Sequence, residues 1–252
     1  MKVSVAQLAQ LPGVWRGGEL AQAAHPVVAT GHARLDAELP GGGWPTGTLS
    51  EVLHDGAGIG EVSFLAGALA RAGEGRRLIA WVGAPHLPYA PALAQSGIAL
   101  DSCLVVRPAS REDALWAAEQ ALKSGACGAV LLWMDLLRSL EGSRTHGSEE
   151  YAWLRRLQMA ADAGRAMAVL YRSTSAERHS TPAHLRVVLE HEGAALKVRI
   201  PKRRGPPLSH PVCLHLRSSP SYRSTPCSGS HSSFPPSRSS SSNVLAFLPQ
   251  RS

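Results

Sequence analysis

Between Thr48 and Leu65 the residue types and their spacing resemble a site for phosphate. A strand-like run, Thr48 to Leu53, ends in a loop carrying Gly56, Gly58 and Gly60, and an apolar helical pattern follows from near Val62. Strand, glycine loop and helix start are the parts of a phosphate-binding loop, in which backbone N–H groups cradle the phosphates. In that loop a Lys meets the outer phosphate oxygens and a Ser or Thr holds Mg²⁺. With Gly60 aligned on the last glycine of G-x-x-x-x-G-K-[ST], the first glycine is Asp55, the Lys is Glu61 and the Ser/Thr is Val62. Two carboxylates therefore stand where a polyphosphate would sit. Like charges ~4 Å apart in a protein-like dielectric repel by roughly 4 kcal/mol. The expectation is a degenerate phosphate loop kept as scaffold: no catalytic residue, no cofactor and no ATP hydrolysis.

A second candidate is basic. Lys197, Arg199, Lys202, Arg203 and Arg204 fall within one short stretch, followed by Gly205-Pro206-Pro207. Lys197 and Arg199 share one face of a strand, and the other three sit in its exit loop. Such a cluster suits phosphate contacts or an acidic partner; a solvated edge strand guarded by cations is the plainer use of the same residues. Arg155 and Arg156 extend the candidate patch, and Trp15 is a candidate partner contact in the leading segment. Trp81 and Trp133 read as core, and Trp44 as a cap on it. The histidines show no metal-ligand spacing and the serines no nucleophile elbow, so neither a metal site nor a hydrolase is expected.

The elements that must position these residues alternate. Helix-like stretches are Ile59 to Ala72, Pro88 to Ser96, Ser110 to Leu122 and Ser148 to Ala163. Strand-like ones are Arg77 to Val82, Cys103 to Val106, Ala129 to Met134 and Ala166 to Tyr171. Ser110, with Asp113 three residues on, reads as a helix cap. The alternation predicts a parallel sheet with crossover helices. Leu185 to Leu189 and Ala195 to Ile200, turned by Glu192-Gly193, predict a hairpin at the sheet edge.

The chain is basic, with net charge +7 and pI about 9.7, which favours an anionic partner such as nucleic acid. Its four cysteines are scattered and fit a reducing compartment. No signal peptide and no run long enough for a membrane span is read in it. Residues 1–30 read as an N-terminal arm and 31–216 as one α/β domain. Residues 217–252 read as a Ser/Pro-rich tail too poor in aliphatic residues to fold, ending in a brief apolar island, Val244 to Pro249.

Several blocks, in order, resemble one family. They are Val14-Trp15-Arg16-Gly17, Thr30-Gly31 through Leu35-Asp36, and Leu39-Pro40-Gly41-Gly42-Gly43-Trp44-Pro45. Glu51-Val52-Leu53, Leu154-Arg155-Arg156-Leu157-Gln158 and Lys202-Arg203-Arg204-Gly205-Pro206 follow. The lead-in to the first strand is similar to that of RecA-type recombinases, and the whole set resembles the ImuA family, RecA-like accessory proteins of bacterial translesion synthesis, also described as SulA-like. The resemblance implies a RecA-like, degenerate P-loop NTPase fold: a mainly parallel sheet with flanking helices and a C-terminal hairpin. Against RecA proteins, Pro85 stands at the place of the water-activating acid and Trp133 at that of the metal-binding Asp, with Asp135 two residues on. The resemblance thus implies a pseudo-ATPase.

It further implies a non-catalytic adaptor in the DNA-damage (SOS) response, acting in the bacterial cytoplasm and at the nucleoid when DNA is damaged. Its partners would be an ImuB-type polymerase-like protein and an error-prone polymerase III alpha-type subunit, with RecA and single-stranded DNA as further candidates and no membrane. Two other classes stay open: a SulA-like inhibitor of cell division acting on FtsZ, and an ATP-dependent recombinase-like DNA-binding protein. The last needs the missing phosphate-loop Lys.

Overall fold

The computed structural model describes residues 25–56, 58–134, 147–192, 195–206 and 208–216. Trp15, Asp135 and the tail from 217 onward lie outside these residues, as does most of the arm.

Among the described residues ten strands form two sheets. β1 (Val27–Val28) pairs antiparallel with β2 (Trp44–Pro45), so the last residues of the arm are stitched to the domain. Between them the short helix α1 (Ala33–Asp36) buries Leu35, and the Asp36 carboxylate accepts the Thr30 backbone N–H at 2.9 Å. The main sheet contains β3 (Thr48–Leu53), β4 (Leu78–Val82), β5 (Cys103–Val106), β6 (Cys127–Trp133) and β7 (Met167–Arg172). It is completed by β8 (Leu185–Glu192), β9 (Ala195–Lys202) and β10 (Val212–Leu214). Its order is β10-β9-β8-β3-β7-β6-β4-β5. The pairs from β8 through β5 are parallel, while β8–β9 and β9–β10 are antiparallel.

The expected alternation is therefore present, with two corrections. The predicted hairpin exists, but it is not the sheet edge: β8 lies beside central β3, and β10 covers the far side of β9. β10 has only three residues, too short for periodicity to reveal. The helix expected from Ile59 begins later. Ile59 to Val62 are turn, a 3-10 turn spans Ser63–Leu65, and α2 covers Ala66–Ala72. Glycine at positive φ holds the chain out of the right-handed helical region up to Gly60.

The remaining helices are crossovers. α3 (Ala90–Gln95) joins β4 to β5, α4 (Arg111–Lys123) joins β5 to β6, and α5 (Gly147–Gly164) precedes β7. The Ser110 side chain caps α4, accepting the Asp113 N–H at 3.1 Å. Leu154, Leu157 and Ala161 form the buried stripe of α5, whereas Tyr151, one turn before Leu154, is exposed. The Gln158 side-chain oxygen accepts the Leu49 N–H at 2.9 Å and the Thr48 hydroxyl at 3.0 Å, tying α5 to the start of β3.

β3, β6 and β7 are buried along their whole length, as parallel strands covered on both faces must be. One core, with Trp44, Phe64, Leu69, Trp81 and Val169, fills the face under α2. The other, with Leu49, Ala118, Leu132, Leu157 and Leu170, fills the face under α4 and α5.

Candidate functional site

The loop after β3 sits at the carboxyl end of the central strands, where ligand sites of open α/β sheets form. Gly56, Gly58 and Gly60 all have left-handed φ (82°, 82° and 91°), so the sequence builds a genuine glycine turn here. Its two acidic side chains are already engaged. Asp55 points away from the loop to the chain after β7: its carboxylate accepts the Ser173 hydroxyl at 3.0 Å, the Thr174 N–H at 3.1 Å and the Thr174 hydroxyl. The Thr174 hydroxyl, first among these, holds the Asp55 carboxyl below its ordinary pKa. The Glu61 side chain is buried and folds back towards the loop, one oxygen 3.5 Å from the Gly58 nitrogen. Val62, at the place of the magnesium-binding hydroxyl, packs against the apolar core.

An aromatic ladder adjoins the loop. Trp81 on β4, Trp133 on β6 and Tyr171 on β7 stack nearly parallel, with ring centres 6.1 Å and 4.4 Å apart. His54 meets Tyr171 edge-on at 5.8 Å. The Tyr171 hydroxyl donates to the Glu61 backbone carbonyl at 3.1 Å. Burial, then the nearby Glu61 charge, raises the Tyr171 pKa well above the ordinary phenol value, so it stays a donor. Leu216 also packs against the loop: a Cβ placed on Gly60 would lie 2.5 Å from its Cδ1. Trp133, read from the sequence at the place of a metal-binding Asp, is thus a packing residue of this ladder. Pro85 lies just past β4, partly buried.

Beside the loop an open groove of about 1210 Å³ is walled by Asp55, Thr174, Glu177, Arg178, Glu190 and Arg199, among others. Its charges are mixed. Glu177 receives both Arg199 Nη atoms, at 3.1 and 3.0 Å, and Glu190 receives Arg199 Nε at 3.0 Å.

The basic stretch is likewise engaged within the fold. Lys197 lies 3.5 Å from Glu190. Lys202 donates to the Thr181 carbonyl at 2.7 Å, and Arg203 to the carbonyls of Pro206 and Glu38. Arg199, paired with two carboxylates, has its pKa raised above the ordinary value, chiefly by Glu177. Arg204 lines a separate cavity of about 420 Å³ with His25, His184, Leu39 and Pro206. The sequence placed Lys197 and Arg199 on one strand face; it did not reveal that β8 and the chain before it supply their counter-charges. Arg156 pairs instead with Glu119 on α4, and Arg155 is exposed on α5. The two groups of arginines share no ion partner among the described residues.

Sequence reasoning missed a charged cluster inside the sheet. Glu51, wholly buried in β3, accepts Arg172 Nη1 at 2.7 Å and Arg186 Nε at 2.6 Å. Arg186 stands directly opposite Glu51 on β8, and Arg172 lies two residues further along β7 on the same face. Arg172 also reaches Glu150 at the start of α5, and Glu150 lies 3.4 Å from His179. Arg186 donates in addition to the carbonyls of Glu177 and His179, both at 3.0 Å. A Glu inside a strand of the parallel core was the available signal; which arginines answered it depended on register.

Fold and site together define an α/β protein with a mainly parallel eight-stranded sheet, compatible with a RecA-like domain, and a glycine loop at the end of a central strand. Comparison with known proteins points the same way. The chain is 31% identical over 119 residues to the protein RecA of Chloroherpeton thalassium, covering 47% of this chain and 33% of that one. It is 32% identical over 102 residues to the cell division inhibitor SulA of Edwardsiella piscicida, covering 40% of this chain and 54% of that one. The chain therefore spans a third to about half the length of these two curated relatives. No family profile matches it.

Proposed function

We propose that this protein is a RecA-like accessory factor of the DNA-damage response that holds partners together and does not hydrolyse ATP. In the fuller form of this reading it acts in induced translesion synthesis, joining an ImuB-type protein to an error-prone polymerase. The observation that carries it is the state of the glycine loop. Glu61 stands in place of the phosphate-binding Lys with its carboxylate turned towards the Gly58 nitrogen, Tyr171 bonds the Glu61 carbonyl, and Leu216 packs against Gly60. A polyphosphate here would meet a buried carboxylate and no cation from the loop. The similarity to RecA and to a division inhibitor supports a place in the damage response.

The test is titration of the full chain with labelled ATP and Mg²⁺, then with labelled single-stranded DNA across a salt series. The expected result is no ATP binding or turnover. DNA affinity that falls steeply with salt would add a direct DNA contact to the adaptor role. Clear ATP turnover, stimulated by DNA, would refute the reading and return the chain to the recombinase class.

A second reading has its own support. The similarity to a cell division inhibitor covers 54% of that protein, against 33% of the RecA relative. Under it the chain binds the tubulin-like division protein FtsZ. Pull-down with FtsZ, set against pull-down with an ImuB-type protein and its polymerase, separates the two: capture of FtsZ alone would favour division control.

A further inference from the structure

The two edges of the main sheet are built differently. β10 is three residues long and follows Pro211, a form of edge that resists pairing. β5 is Cys103-Leu104-Val105-Val106, with no charge, no proline and no bulge, and among the described residues it pairs only with β4. Leu104 and Val105 point to opposite faces, yet both are exposed, 36% and 39%. Leu87, Tyr89 and Leu100, in the segment that crosses from β4 to β5, are also exposed. Five of the eight large exposed apolar residues among those described thus fall between positions 87 and 105. Exposed apolar residues scattered singly need no explanation; this concentration on an open edge does.

We infer that β5 is the seat of a second copy of this chain, the two β5 strands pairing antiparallel about a two-fold axis to continue the sheet across both protomers. The two-fold stands normal to the sheet and keeps each face on its own side, so one residue must sit on the axis opposite its own copy. With Leu104 there, Cys103 faces Val105 of the second copy, and Val105 faces its Cys103. The same axis brings the 3-10 turn Leu100–Ser102, which carries Asp101 just before the strand, towards Arg107 of the second copy, just after its strand, and does so twice. Both residues are exposed. An apolar centre between two opposite-charge pairs is self-complementary, which an isologous interface requires. Centring on Cys103 or Val105 instead loses both charge pairs. This dimer would present two copies of every other surface, a useful property for a factor that gathers partners, but it does not depend on that reading.

The experiment uses the full chain. Sedimentation over a dilution series at micromolar concentration should show a monomer–dimer equilibrium, and Val105→Lys, at an exposed site, should shift it to monomer with the circular dichroism spectrum unchanged. Asp101→Arg and Arg107→Asp should each weaken the dimer, and the double exchange should restore it. In a Cys103→Ser background, Leu104→Cys should form a covalent dimer under mild oxidation, because directly facing residues lie about 4.5–5.5 Å apart at Cα, within disulfide reach. A chain monomeric at every concentration, or a dimer indifferent to Val105→Lys, would overturn the inference. So would a dimer lost in Val105→Lys that shows neither the cross-link at position 104 nor rescue by charge exchange. That pattern would mean another segment, such as residues 1–24 of a neighbouring copy, takes the edge.

Discussion

Removing the Glu51 carboxylate should be among the most damaging single changes in the sheet. Glu51 is fully buried, and its two oxygens are held at 2.7 Å and 2.6 Å by Arg172 and Arg186, themselves almost wholly buried. Glu51→Ala leaves both guanidinium groups without that acceptor in a dry interior. Arg172 keeps Glu150 and Arg186 keeps two backbone carbonyls, so the loss is partly cushioned. Breaking a buried ion pair from one side costs about 3–5 kcal/mol. For a domain of this size, each kcal/mol moves the melting temperature by about 2–4 °C, so the variant should melt about 6–20 °C below the parent. Urea denaturation followed by tryptophan fluorescence should give a lower midpoint at unchanged slope. The paired replacement Glu51→Leu with Arg186→Leu removes the charge and one of its partners together. It should recover much of the loss, since a buried pair replaced by apolar residues is often near neutral. A midpoint change equivalent to less than about 1 kcal/mol in Glu51→Ala would refute the reasoning, because it would mean water already reaches these groups.

Two further outcomes follow from the site. Gly60→Ala meets both a left-handed φ of 91° and a 2.5 Å contact with Leu216, so it should destabilise by about 1–3 kcal/mol; adding Leu216→Ala should relieve the contact but not the backbone strain, giving partial recovery in thermal melts. His184 has its pKa lowered to about 4, chiefly by burial and then by the neighbouring His25, from an ordinary 6.5. The unfolded chain therefore binds the extra proton between about pH 6.5 and 4, and stability falls as pH drops through that window. The shift corresponds to about 3 kcal/mol at most, and to about 1–2 kcal/mol once solvent screening of a half-buried ring is allowed for. His184→Gln should flatten the fall in midpoint between pH 6.5 and 4, and an unchanged slope would count against the assignment.

Local rules carried the sequence a long way for this protein. Apolar runs of strand length separated by helical periodicity are enough to declare a parallel α/β sheet, because each run must be buried on both faces and each connection must cross over. Ser110 with Asp113 declared a cap, and Gly56, Gly58 and Gly60 declared a turn; both are decided within a few residues by backbone geometry. The replacement of Lys by Glu at position 61 was also legible, since its chemistry belongs to the residue itself. Packing across distant segments decided the rest. Leu216 lies more than 150 residues beyond the loop it covers, and nothing near Gly60 announces it. The counter-charges of Lys197 and Arg199 come from β8 and the chain before it, so a stretch that reads as a free basic patch becomes a set of ion pairs. Glu51 could be seen in its strand, but its arginines are 121 and 135 residues away, and only the order β8-β3-β7 brings them to it. A charge is written in one residue, but its partner, and hence its use, is set by which strands the sheet makes neighbours.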